Sequence, residues 1–225
     1  ENGTDVYVRI IDYKTGKKDF NIVKTYYGID IQLMVYMEAA MKLVAKMRPG
    51  KNVIPAGVFY YNISDPIVSA TTESAEEIED KIKGELRLKG MVNSDKDIAE
   101  KMDNTEGTSL NIPVSRKADG GFDSRRSKVM NTEQFNMLGR FVDVRAVDTA
   151  DRIAGGDIRR SPYKDGQFSS CDRCPYGAVC GFSVDLPGCN YRKLKKFDDE
   201  VLWNNIEEGV DENGKKMDTG AEERD

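Results

Sequence analysis

Val6-Tyr7-Val8-Arg9-Ile10-Ile11-Asp12-Tyr13-Lys14 alternates with a period of two from almost the first residue of the chain. That period predicts a β-strand. Val6, Val8, Ile10, Asp12 and Lys14 fall on one face, and Tyr7, Arg9, Ile11 and Tyr13 on the other. The apolar face therefore ends in a carboxylate and an ammonium two residues apart. Such a pair can hold a divalent cation at Asp12 and direct an amine at a phosphate or its attacking water through Lys14. The same Asp-x-Lys also describes many ordinary strand ends, so its meaning depends on its surroundings. A sheet strand this close to the first residue, with no partner before it and no initiator methionine, suggests a fragment of a longer chain.

Working outward, Thr15-Gly16-Lys17-Lys18 reads as a turn. A long apolar helix is predicted from about Gly28 to Met47, stopped by Pro49-Gly50. Glu38, Lys42 and Lys46 form its solvated stripe, and Gln32 and Tyr36, four residues apart, lie to one side of it. A second strand is expected at residues 58–63, rich in β-branched and aromatic side chains. Residues 74–87 read as a helix capped by Ser74, and 95–102 as a shorter one. Residues 112–115 read as an edge strand, ahead of a turn at Asp119-Gly120-Gly121. A second long helix is predicted at 132–154, with Thr132 as its cap and Gly155-Gly156 as its close. After Pro162 the chain turns irregular. Strands interleaved with helices make the fold class α/β.

At 225 residues there is room for one well-buried domain with a small appendage. Charged residues at 32% suit a soluble cytoplasmic protein, and no apolar run reaches the roughly 20 residues that span a bilayer, so no membrane partner is expected. The net charge is −5, and residues 207–225 account for all of it with eight acids against three bases. Residues 198–225 accordingly read as an acidic, disordered tail. The body is neutral, with basic groups at Arg116-Lys117, Arg125-Arg126-Ser127-Lys128, Arg159-Arg160 and 192–196 that could line a path for a phosphate backbone. Tyr60 and Tyr61 could stack on bases, although core packing suits them better. The chain contains no histidine, which removes Ser–His–Asp and Cys–His catalysis and any imidazole base.

All four cysteines, Cys171, Cys174, Cys180 and Cys189, fall within nineteen residues as C-x₂-C-x₅-C-x₈-C. Clustered thiolates with a tight C-x₂-C pair can hold zinc or an iron–sulfur cluster. Two disulfides are the other reading, which the lack of any secretory h-region disfavours.

Three of these features occur together in one family. Ile10-Ile11-Asp12-Tyr13-Lys14-Thr15-Gly16 resembles the third motif of the RecB-type PD-(D/E)XK nucleases, and Gln32-Leu33-Met34-Val35-Tyr36 is similar to the Q-x₃-Y of the following helix. Cys171, Cys174, Pro175, Tyr176 and Cys180 resemble the C-terminal clamp of the iron–sulfur members. Within the family the chain most resembles the AddB-type branch, on Pro55-Ala56-Gly57-Val58-Phe59-Tyr60-Tyr61, Arg87-Leu88-Lys89-Gly90, Cys174-Pro175-Tyr176 and Tyr191-Arg192-Lys193-Leu194.

The resemblance implies a restriction-endonuclease-like mixed sheet flanked by helices, with a partial nuclease core at 1–165 and an iron–sulfur segment at 166–197. It implies Mg²⁺ at Asp12, with Lys14, Gln32 and Tyr36 completing the catalytic set. It also implies a 4Fe-4S cluster on Cys171, Cys174 and Cys180, with zinc as the alternative. The implied activity is exonucleolytic hydrolysis of DNA at single- and double-stranded ends. It would serve recombinational repair within a heterodimer with an AddA-like helicase partner. The family's earlier metal ligands have no counterpart here and are expected before Glu1. Cys189 is either a fourth ligand or a spare thiol, and the long x₈ gap favours the spare. Two other functions fit the same motifs, a non-catalytic metal- or cluster-stabilised binding module and a self-standing CRISPR-associated-type single-strand exonuclease.

Overall fold

The computed structural model describes residues 3–63, 65–68 and 74–221, with side chains for all but 212–221. The opening strand is β1, Asp5–Lys14, followed by a short helix α1, Ile22–Tyr26, and the long α2, Gln32–Met47. The long helix starts later than Gly28, because Gly28 sits at φ 74° and closes the turn after α1 instead. Next come β2, Asn52–Asn62, α3, Ala75–Leu86, β3, Lys89–Asn93, and α4, Lys96–Met102. Ser74 caps α3 through a reciprocal capping box with Glu77.

The chain continues with β4, Val129–Met130, and α5, Thr132–Ala154. The α5 cap is Asn131, one residue before the expected Thr132, because Asn131 and Gln134 form the capping box. Thr132 instead receives a hydrogen bond from Asn93. Residues 112–115 do not form an edge strand. Its only β-pairing among the described residues is isolated bridges, Thr108 with Ser115 and Arg116 with Phe122, and Ile112 and Val114 are buried under the sheet.

The four strands make one mixed sheet in the order β1-β2-β3-β4, with β1 parallel to β2 and β2 antiparallel to β3. β2 is longer than predicted and runs through Pro55. Proline removes a ladder donor and is tolerated at bulges. The register shifts there, from Val8 opposite Pro55 to Arg9 opposite Gly57. Asn93 donates to the Pro55 carbonyl at 2.7 Å and anchors the irregularity.

One sheet face carries Val8, Val58 and Tyr60 and is covered by α2 and α5, which supply Leu33, Met34, Met37, Phe135, Leu138 and Phe141. The other face carries Phe59 and Val92 and packs on Ala99, Ile112 and Val114. The sheet is mixed and flanked by helices, as the α/β restriction-endonuclease-like reading requires.

The cysteine segment is more ordered than expected. It holds β5, Tyr163–Asp165, β6, Phe168–Ser169, α6, Gly177–Cys180, and β7, Arg192–Lys193, with the strands in a small sheet of order β6-β5-β7.

The disordered acidic tail is corrected. Asp199–Ala221 is a helix, α7, that packs on α5. Leu202 and Ile206 are buried, and the two lie one turn apart on the face turned to the core. Asp199, Glu200, Glu207, Glu208 and Asp211 are exposed. Residues 222–225 of the expected tail lie outside the described residues.

Candidate active site

The four residues singled out by the Asp-x-Lys and Q-x₃-Y motifs meet at the C-terminal end of β1. Alternation puts Asp12 and Lys14 on the α2 side of the sheet, where the apolar positions Val6 and Val8 are already buried. Gln32 is the first residue of α2, and Tyr36 follows one turn later. Lys14 Nζ donates to Gln32 Oε1 at 2.8 Å, and Gln32 Nε2 donates to the Tyr36 hydroxyl at 2.9 Å. Lys14 Nζ also lies 2.7 Å from Asp12 Oδ2. That contact is an ion pair by distance without hydrogen-bond alignment, for Asp12 Oδ2 is buried and receives no aligned donor. The Asp12 side chain is 19% exposed and Lys14 30%, so both can be reached from solvent.

A buried carboxylate oxygen without an aligned donor is unusual, since such atoms are ordinarily satisfied. It fits a hard divalent cation, which prefers oxygen ligands.

Tyr60 forms the floor beneath this group. It faces Asp12 across the β1–β2 register, is 1% exposed, and its ring lies 5.6 Å from Lys14 Nζ and 5.8 Å from Lys18 Nζ. Burial, reinforced by the negative charges of Asp30 and Asp12, pushes its phenol up to about 12. Tyr60 is therefore a neutral wall at physiological pH, and its core location matches the preferred reading of the sequence. Lys18 pairs with Asp30 at 2.5 Å, a second acid–base pair beside the first. Sequence reading missed Lys18 and Asp30. Their one signal was the spacing of Lys18 four residues beyond Lys14.

The α2 stripe is also different from expectation. Glu38 is half-buried against Gly139 of α5, where a Cβ would stand 1.8 Å from Glu38 Oε1. Burial first, then the nearby Asp143, pushes the Glu38 carboxyl up. Lys42 bridges from α2 to Asp143 of α5 at 2.5 Å.

The basic groups separate by role. Arg116 donates to the Asp103 and Thr105 carbonyls, and Arg159 chelates Asp157, so both are held internally. Arg160 donates to the carbonyls of Cys180 and Gly181 and ties the cysteine lobe to the segment leaving α5. Arg126 and Lys128 line a cleft described below.

All four cysteines are free thiols, which sets aside the disulfide reading. Cys171, Cys180 and Cys189 are half-buried and Cys174 is exposed. Their chemistry, unpaired sulfur with no histidine nearby, fits a soft metal or an iron–sulfur cluster. Among the described residues, no three Cys, Asp or Glu side chains gather into a preformed metal cage.

A family model described as the PD-(D/E)XK nuclease superfamily matches residues 1–181. This chain belongs to that superfamily. The B subunit of the ATP-dependent helicase/deoxyribonuclease of Thermoanaerobacter sp. strain X514 is 36% identical over 220 residues, covering 97% of this chain and 19% of that protein. The protein of the same name from Caldanaerobacter subterraneus is 38% identical over 224 residues, covering 99% of this chain and 19% of its own length. That from Clostridium acetobutylicum is 37% identical over 216 residues, covering 95% and 18%. The chain thus spans about a fifth of the length of these curated relatives. PD-(D/E)XK nucleases generally act with a divalent metal ion, and the Asp12 oxygen that only Lys14 faces, without an aligned hydrogen bond, is compatible with one. No helix among the described residues is long and apolar enough to cross a membrane.

Proposed function

We propose that this chain is the Mg²⁺-dependent exonuclease domain of an ATP-dependent helicase–nuclease that trims DNA ends in the cytoplasm, paired with an AddA-like helicase. The observation that carries the reading is the continuous chain Asp12, Lys14, Gln32 and Tyr36 at one strand end. Asp12 offers a buried oxygen to the cation. When bound, the cation would stabilise charge developing on the phosphodiester. The Lys14 ammonium has three donors, and Gln32 occupies one of them. The others can orient the attacking water and offset charge on a phosphoryl oxygen. In the hydrolysis a water oxygen bonds to phosphorus, one P–O ester bond breaks, and the released oxygen takes up the proton the water gives up.

The resemblance of the cysteine segment extends the proposal to a 4Fe-4S cluster on Cys171, Cys174 and Cys180, which would clasp the C-terminal lobe and take no part in hydrolysis. Anaerobically purified protein is expected to be brown, with visible absorbance, and a colourless, zinc-loaded protein would remove the cluster. For the nuclease, the full-length protein is expected to degrade single-stranded DNA only with Mg²⁺, and Asp12→Ala to abolish this. Degradation unaffected by that substitution would overturn the assignment.

A further inference from the structure

A cleft of about 390 Å³ opens at the end of β2, lined by Lys17, Lys18, Arg87, Lys89, Arg126 and Lys128, with Asp19 and Glu85 as its only carboxylates among the described residues. Six cations against two acids in a chain of net charge −5 is a strong local excess. Their commitments differ. Arg87 is stitched to the carbonyls of Ile112 and Val114, and Lys128 pairs with Asp19. Lys18 pairs with Asp30, while among the described residues Arg126 has only Asp123, at 4.0 Å, as an ion-pair partner. Lys17 and Lys89 have no ion pair with any described residue, so their charges are open to a ligand.

None of Asp12, Lys14, Gln32 and Tyr36 lines the cleft, but residues next to them do. Asn62 lines it and faces Lys14 across the β1–β2 register. Lys89 faces Tyr60 across the β2–β3 register, so its side chain leaves the sheet on the same side as Asp12 and Lys14. Leu88 and Pro113 add an apolar wall.

We propose that this cleft seats the phosphate backbone of a single strand on its way to Lys14, with Lys17, Lys89 and Arg126 as its phosphate contacts. The proposal rests on the nuclease reading above. The cleft volume of about 390 Å³ leaves room for a short stretch of one strand. A basic groove that tracks the backbone is the electrostatic part of single-strand binding.

Lysine acetylation footprinting of the full-length Asp12→Ala protein tests this without disturbing the cleft. A dT oligonucleotide is expected to slow modification of Lys17 and Lys89 several-fold, and to leave the exposed Lys46, Lys96 and Lys117 unchanged. A blunt duplex or millimolar inorganic phosphate should protect neither. Equal rates with and without the strand, or equal protection by phosphate alone, overturn the proposal. In an Asp12-competent protein, the combined Lys17→Glu, Lys89→Glu and Arg126→Glu variant should lower kcat/KM for single strands. It should also flatten the dependence of log kcat/KM on log salt by about 2, from about 0.7 per lost contact. The matched Lys46→Glu, Lys96→Glu and Lys117→Glu variant should leave that slope alone. An unchanged slope in the first variant, with Asp12-dependent degradation intact, removes the cleft and keeps the nuclease. Degradation independent of Asp12 removes both.

Discussion

Replacing Gln32 by Leu removes one hydrogen bond from Lys14 and leaves a side chain of similar size at the start of α2. The bond is 2.8 Å from an ammonium to an amide oxygen, and Lys14 is 30% exposed. Hydrogen bonds to charged groups contribute about 1.5–3 kcal/mol, and the partial exposure places this one at the lower end, about 1.5 kcal/mol. If the bond aims the ammonium at the reacting phosphate, that loss appears in the transition state as a roughly tenfold drop in kcat. Gln32 is a positioning residue in this account, because it acts through Lys14. Steady-state degradation of a labelled single strand should show kcat falling with KM within about twofold, and thermal unfolding should show no comparable loss of stability. A rise in KM at unchanged kcat would refute the reasoning, since it would mean that Gln32 holds the strand. Activity within twofold of the parent would refute it too.

Ile206→Ala should cost about 2–5 kcal/mol in urea unfolding, because Ile206 is fully buried between α7 and the core; a loss under 1 kcal/mol would mean that α7 is not docked. Gly90→Ala puts a Cβ 1.9 Å from the Val58 carbonyl oxygen and 2.8 Å from Phe59 Cα, both backbone atoms that cannot rotate away. A loss of about 3 kcal/mol, the upper end for overpacking, is expected in the same assay. Burial by itself would raise the Asp103 carboxyl, but hydrogen bonds from Thr105, Ser109 and Asn111 outweigh it and hold Asp103 at about 2, against 3.8 ordinarily. A depressed carboxylate stabilises the fold above its unfolded pKa, so this group contributes about 2 kcal/mol at neutral pH, lost as pH falls from about 4 to 2. Asp103→Asn should flatten the pH dependence of unfolding free energy in that window.

The parts of this fold legible in the sequence were those whose signal is local. β1 alternates over its whole length, α3 carries its own capping box, and the Q-x₃-Y spacing put Gln32 and Tyr36 on one side of α2, where Gln32 meets Lys14 and Tyr36 meets Gln32. The illegible parts are set by tertiary contact. Lys89-Gly90-Met91-Val92-Asn93 has little strand propensity, yet it pairs with β2 because Gly90 allows the close approach. Leu202 and Ile206 were obscured by the acids around them, and net charge pointed to disorder where one narrow apolar face was enough to dock a helix. Glu38 read as solvated because nothing in sequence shows that Gly139 leaves a hollow for it. Lys18 and Asp30 join the site only through the fold, across the short helix α1 that separates β1 from α2.

The irregularity at Pro55 has a consequence for what the nuclease motif rests on. Asp5 pairs with Asn52 and Asp12 with Tyr60, so the chain takes seven steps along β1 and eight along β2 to reach the same level. Side chains in a strand change sides at every step. If the ladder ran through these same residues without the shift, Phe59 would face Asp12, and the buried phenol would turn to the far side of the sheet. The identity of the ring under the lysine is therefore settled four residues earlier, about 13 Å along the strand. The register shift in the first half of β2 therefore acts on the chemistry as surely as a substitution within the site.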